Sequence, residues 1–246
     1  MGEAQRVELD WGASVTATRY GGVPSPLATL ILAHGAGASQ SSEFMVAFAT
    51  GLSARGLTVV TFNFPFTERG KRLPDPQPVL ESCYRTVLAR VAADPALVGL
   101  PIFIGGKSLG GRIASHVAAA RDAGETLTET WWDRLRGLVF LGYPLHPPGK
   151  PQQVRVSHLP HIVHPMLVVQ GARDAFGTAA EVRLFFDVLP ARCEIVEVDQ
   201  GGHSLDVPKR SGLSQAAVYD GVQDRIAAWV IAVAGSATHE GRRQTP

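Results

Sequence analysis

The eight residues IGGKSLGG, positions 104–111, decide how this chain folds, and they can be read in two ways. Read from the left, Gly106-Lys107-Ser108 matches the end of a phosphate-binding loop, G-x-x-x-x-G-K-[ST], and makes Ser108 a magnesium ligand. Read around the serine, residues 106–110 match G-x-S-x-G, a strand–turn–helix motif that presents serine as a nucleophile. The first reading requires glycine at position 101, where the chain has Pro101. It also puts Ile102, Phe103 and Ile104 in a loop that must expose N–H groups, whereas such residues belong inside a strand. The second reading needs a strand before Ser108 and a helix after it, which PIFIG and LGGRIASHVAAA supply. Its sharp turn needs small neighbours, and Gly105, Gly106, Gly110 and Gly111 provide them. The five-residue motif alone still leaves open an ordinary turn whose serine caps the helix.

Outward from this stretch, short β-rich runs alternate with amphipathic ones. Strands are expected at 7–11, 14–20, 28–35, 57–63, 101–106, 137–142, 165–171 and 193–199. Helices are expected at 41–56, 78–94, 108–124, 178–189 and 214–234. This pattern predicts an α/β fold: a mostly parallel eight-stranded sheet with helices on both faces. A single domain over 1–234 is expected, with 235–246 as a loose tail. Two long excursions, 64–77 and 142–164, follow strands on the edge where ligands bind in open α/β sheets.

The 246 residues are 45% hydrophobic and 18% charged, which excludes a disordered chain. A net charge of +1 gives no electrostatic reason to expect nucleic acid or an anionic membrane as partner. The two cysteines, Cys83 and Cys193, form no C-x-x-C pair, so neither a disulfide framework nor a cysteine metal site is expected. The N-terminal residues carry no apolar core of signal-peptide type, and no apolar run is long enough to span a bilayer. A cytoplasmic protein without metal or organic cofactor follows as the expectation. Nothing in the sequence sets its oligomeric state.

If Ser108 is a nucleophile, it needs a base, and the base needs an orienting carboxylate. In the fold expected here the order is serine, then acid, then histidine. VVQGARDAFG places Asp174 in the loop after one late strand, and VDQGGHSLDVP places His203 in the loop after the last. Asp199 and Asp206 lie nearer His203 in sequence, but Asp199 ends a strand and Asp206 follows the histidine. Negative charge developing on the substrate calls for two backbone N–H groups. Leu109, next after the nucleophile, is one, and Ala36 in the loop His34-Gly35-Ala36-Gly37-Ala38 is the other, with Gly35 and Gly37 as neighbours that could replace it. His34 is expected to brace that loop. The evenly spaced His158, His161 and His164 suggest a metal site, but Pro160 and Pro165 break any common helical face and no acidic residue accompanies them. The basic cluster at 68–72 is expected to be a solvated loop. Lys107 fills the free position of the motif without an evident purpose.

The stretches LAHGAGAS, FNFPF with ERGKRLPDP, GGKSLGGR, LGYPLHPPGKP, VVQGARDAFG and GGHSL occur in that order between residues 28 and 206. In them the chain resembles the compact α/β-hydrolases related to testis-expressed protein thirty, which are near dienelactone hydrolases. The resemblance implies an α/β-hydrolase fold with no large lid domain, and Ser108, Asp174 and His203 as a triad. Dienelactone hydrolases proper use a cysteine nucleophile, so serine at 108 argues against carrying over their substrate. The resulting expectation is a serine hydrolase of a small-molecule carboxylic ester, thioester or similar acyl compound. The alternative is a binding or scaffold protein that keeps the fold with little turnover.

Overall fold

A computed structural model describes residues 2–21, 23–120 and 131–241. Eight strands form one sheet: β1 (Glu3–Glu8), β2 (Ser14–Tyr20), β3 (Ala28–Ala33), β4 (Leu57–Phe62), β5 (Ile102–Lys107), β6 (Leu135–Leu141), β7 (Met166–Gly171) and β8 (Cys193–Val198). Their spatial order is β1-β2-β4-β3-β5-β6-β7-β8. The β1–β2 and β2–β4 pairs are antiparallel, and the other neighbouring pairs are parallel.

The helices are α1 (Glu43–Ala54), α2 (Pro65–Glu68), α3 (Gln77–Ala92), α4 (Leu109–Ala119), α5 (Ala179–Phe186) and α6 (Gln215–Gly241). Every residue of β3, β4, β5 and β7 is buried, because both faces of the sheet are covered. Alternate residues of β3 show this. Leu30 and Leu32 join a core with Phe48 and Leu52 of α1 and Ile226 of α6. Ile31 and Ala33 face a core with Tyr84 of α3 and Ile113 of α4. Each such large apolar side chain stabilises the fold by about 1.5–3 kcal/mol relative to exposure.

Strand order reverses around β3, which pairs with β4 on one side and β5 on the other. A crevice opens at the carboxyl ends of strands at such a reversal. The loop after β3 and the turn after β5 both border it. No separate lid domain is inserted among the described residues.

Among the boundaries that depart from the sequence reading, two lie at the ends of the fold. The first strand covers Glu3–Glu8 rather than 7–11, because Asp10, Trp11 and Gly12 make the turn into β2, with Gly12 at φ +78°. The closing helix runs on to Gly241 rather than ending at 234. Ser236 is helical and donates from its hydroxyl to the Ala232 carbonyl at 2.7 Å. Residues 121–124 of the helix expected at 108–124, and 242–246, lie outside the described residues.

Candidate active site

Ser108 stands between the last residue of β5 and the first of α4, at φ 51° and ψ −113°. A non-glycine residue held there stores about 1–3 kcal/mol of strain, which the surroundings must offset. They do so through a 3.0 Å bond from the Ser108 N–H to the Leu141 carbonyl and through close backbone packing. A β-carbon on Gly110 would lie 2.1 Å from the Ala33 carbonyl oxygen, and one on Gly105 would lie 1.8 Å from that of Val139. The glycines around the serine are therefore required by the approach of neighbouring strands.

The loops after β7 and β8 bring two further side chains to Ser108. His203 Nε2 is 2.8 Å from Ser108 Oγ. His203 Nδ1 is 2.7 Å from Asp174 Oδ2. A carboxylate can only accept, so Nδ1 carries the proton and Nε2 is left to accept from the serine hydroxyl. Asp174 is 2% exposed. Its Oδ1 accepts from the Phe176 N–H at 2.8 Å, and its Oδ2 also accepts from Gln170 Nε2 at 2.9 Å. Phe176 then stacks on the His203 ring with centroids 4.2 Å apart. Of the two other acids considered, Asp206 accepts from the Ser204 N–H within its own loop, and Asp199 is exposed.

His34 is fully buried, and burial lowers its pKa to about 4. Its Nδ1 bonds the Gly35 carbonyl at 2.7 Å, while Nε2 accepts from the Phe64 N–H at 3.1 Å. The Gly35 carbonyl also accepts from the Ala38 N–H. In a trans peptide the next N–H points the opposite way, so the Ala36 N–H is turned away from His34. Ala36 lines the same cleft as Ser108 and Leu109. Leu109 is the first residue of α4, where the N–H has no partner within the helix.

The cleft has a volume of about 560 Å³. Both long excursions contribute to it, the first through Pro74 and Asp75 and the second through Pro144 and Arg155. The cluster at 68–72 is only partly a solvated loop. Glu68 accepts from the Thr16 N–H and the Asn63 amide, and Arg69 pairs with Asp75. The three evenly spaced histidines part company. His161 is exposed, whereas the His158 ring stacks on His116 with centroids 3.6 Å apart.

Sequence reasoning missed two buried polar groups. Gln170, next to last in an apolar strand, accepts from the Tyr143 N–H through Oε1 and donates to Asp174 and to the Gly177 carbonyl. A glutamine in a run that is otherwise apolar was the available signal. Lys107, left without a purpose by its motif, is 7% exposed, and Nζ donates to the His203 carbonyl at 2.7 Å.

The family model described as alpha/beta hydrolase domain matches residues 26–231. Among solved structures, a dienelactone hydrolase from Anabaena variabilis is 18% identical with a TM-score of 0.72, covering 95% of this chain and 98% of its own. The esterase domain of a Rhodothermus marinus protein is 14% identical with a TM-score of 0.69, covering 95% and 99%. A Xanthomonas campestris α/β serine hydrolase without a lid is 16% identical with a TM-score of 0.64, covering 93% and 94%. At these identities the likeness is one of fold.

Proposed function

The chain belongs to the alpha/beta hydrolase domain family, and from that premise we propose that it is a serine hydrolase of carboxylic esters, thioesters or similar acyl compounds. The observation that carries this reading is the hydrogen-bonded chain from Ser108 through His203 to the buried Asp174 at the cleft.

In this mechanism Ser108 Oγ attacks the scissile carbonyl as its proton passes to His203 Nε2. Asp174 holds the imidazole tautomer and stabilises the imidazolium that forms. The N–H groups of Ala36 and Leu109 stabilise the oxyanion. Collapse of the tetrahedral intermediate breaks the bond to the alcohol or thiol, which leaves with the proton from Nε2. Water then attacks the acyl-enzyme, giving its proton to His203, and a second collapse releases the acid and restores the Ser108 hydroxyl. No step requires a metal or an organic cofactor.

Within the family we place the chain with the compact group related to testis-expressed protein thirty, on GKSLGGR and GYPLHPPGKP. We read 1–234 as one domain acting in the cytoplasm on a small molecule, without nucleic acid or membrane as partner. Among the described residues no helix is long and apolar enough to cross a membrane.

A fluorophosphonate probe tests the central claim. It should label the wild-type protein and fail to label Ser108→Ala. Folded wild-type protein that takes up no probe would overturn the hydrolase reading.

A further inference from the structure

The cleft carries a charge arrangement that acyl transfer at Ser108 does not use. Arg112 of α4 and Arg155 of the second excursion both line it. Elsewhere arginines meet carboxylates: Arg6 pairs with Glu68, Arg19 with Glu3, Arg55 with Asp220 and Arg225 with Glu194. Among the described residues neither Arg112 nor Arg155 forms such a pair. Arg112 Nη1 donates instead to the neutral Gln77 amide oxygen at 3.1 Å. Burial, and next the charge of Arg155, hold the Arg112 guanidinium below its ordinary pKa. Two cations thus face one space, partly desolvated and repelling each other.

The backbones of both are held in place. The Arg112 N–H donates to the Ser108 carbonyl at 3.0 Å in the first turn of α4. The Arg155 N–H donates to the Leu145 carbonyl at 2.8 Å, and its own carbonyl accepts from the Tyr143 hydroxyl at 2.7 Å. Lys107 adds a third cation to the cleft wall, but its Nζ is committed to the His203 carbonyl. The acid on that wall is Asp75, whose charge is met by Arg69.

We infer that Arg112 and Arg155 form a carboxylate subsite, so that the acyl substrate bears a carboxylate a few bonds from its scissile carbonyl. The identity of that carbonyl rests on the hydrolase reading of Ser108; the subsite itself does not. Arg112 lies four residues beyond Ser108, about 6 Å along the axis, and helical side chains lean back toward the N-terminus. The guanidinium therefore reaches toward the serine, which suits the half-ester of a short dicarboxylic acid. Paired guanidinium forks match a planar carboxylate. Asp75 in the same wall opposes a phosphate dianion more strongly than a monoanion.

The test compares the p-nitrophenyl half-ester of glutaric acid with its neutral twin, the p-nitrophenyl methyl diester. Wild-type kcat/KM should favour the half-ester by roughly tenfold, the scale of one hydrogen bond to a charged group. The ratio should fall toward one in Arg155→Gln and in Arg112→Gln. Because a ratio is read, general loss of active protein cancels. A wild-type ratio of one or less, or a ratio that survives both substitutions, would falsify the subsite. A phosphonate analogue that outperforms the half-ester overturns the assignment to carboxylate.

A second arm is independent of turnover. Calorimetry of monomethyl glutarate with Ser108→Ala protein should show binding that weakens when Arg155→Gln is added. Absence of binding, or binding indifferent to Arg155, again overturns the subsite. Failure of the hydrolase reading shows separately, as no hydrolysis of the neutral diester and no fluorophosphonate labelling.

Discussion

Lys107 Nζ and the His203 carbonyl oxygen are 2.7 Å apart, and this one bond joins the end of β5 to a loop 96 residues later in the chain. The strand carries Ser108 on its next residue, so Lys107 fixes the distance between proposed nucleophile and proposed base. The ammonium is costly to hold there. It is 7% exposed, Nζ lies 5.7 Å from the centre of the Phe44 ring, and burial lowers its pKa to about 8. Lys107→Met keeps the stem and removes the donor. We expect kcat for a neutral p-nitrophenyl ester to fall about tenfold, the consequence of a slightly misplaced base. Stability at pH 7 should hold or rise, because a desolvated charge has gone. Between the folded pKa near 8 and the ordinary value of 10.5, only the unfolded lysine keeps its proton. Wild type should therefore gain stability relative to the variant as pH rises through that window. Unchanged kcat in the methionine variant would remove Lys107 from the positioning machinery.

Asp174→Asn tests the tautomer argument. An asparagine amide can donate toward His203 Nδ1, which moves the imidazole proton to Nε2 and leaves nothing to accept from Ser108. Loss of this kind costs a serine triad about 10⁴ in kcat. Gln170→Leu should act on the same group more mildly. It deletes a donor 2.9 Å from Asp174 Oδ2 and leaves the Tyr143 N–H without its 2.7 Å acceptor. Stability should drop by about 1–3 kcal/mol in denaturant melts, the cost of stranding a buried polar group. The reading of Gln170 as a scaffold for Asp174 fails if kcat is indifferent to its loss.

The sheet and the proposed site were largely readable from the chain because both rest on local signals. Strands buried on both faces, such as β3 and β7, appear as short apolar runs, and the turn at Ser108 announces itself by its glycines. Asp174 and His203 follow strands, so topology alone puts them on the edge that Ser108 occupies. The less legible parts depend on partners distant in sequence. β1 lies at the sheet edge with Val7 its only buried residue, so alternation there is faint. Lys107, Gln170, Arg112 and Arg155 acquire their meaning from loops that meet them only after folding. α6 runs past 234, where the Ser236 hydroxyl meets the Ala232 carbonyl one turn back.

Gly110→Ala probes how tightly the turn at Ser108 is built. The added methyl would sit 2.1 Å from the Ala33 carbonyl oxygen and 2.8 Å from that of His34. Both neighbours are backbone, so nothing flexible can give way. The expected cost is about 3 kcal/mol or more, above the usual range for overpacking by a single methyl. Chemical denaturation should show this as a lower midpoint at unchanged m-value. A variant as stable as wild type would mean that β3 and α4 are not held as closely as described.

Acid should unfold this protein earlier than its carboxylates alone require, because three histidines are held neutral. Burial lowers the pKa of His34 and His116 to about 4 each, and that of His158 to about 3. His34 accepts the Phe64 N–H at Nε2 and has no room for a second proton. The Ser115 hydroxyl donates to the Arg112 carbonyl at 2.6 Å, so it accepts from His158 Nε2 at 2.7 Å. In the unfolded chain each histidine protonates near its ordinary value of 6.5. Below that pH the unfolded state binds more protons than the folded one, and stability falls as pH falls toward 4. Around pH 5 all three act together, and the slope should approach roughly 4 kcal/mol per pH unit. Equilibrium unfolding in urea at half-unit steps from pH 7 to 4 reads this slope directly. His158→Gln should flatten it by about a third while keeping a donor for Ser115. A flat stability profile between pH 6.5 and 5 would show that these histidines exchange protons with solvent in the folded state.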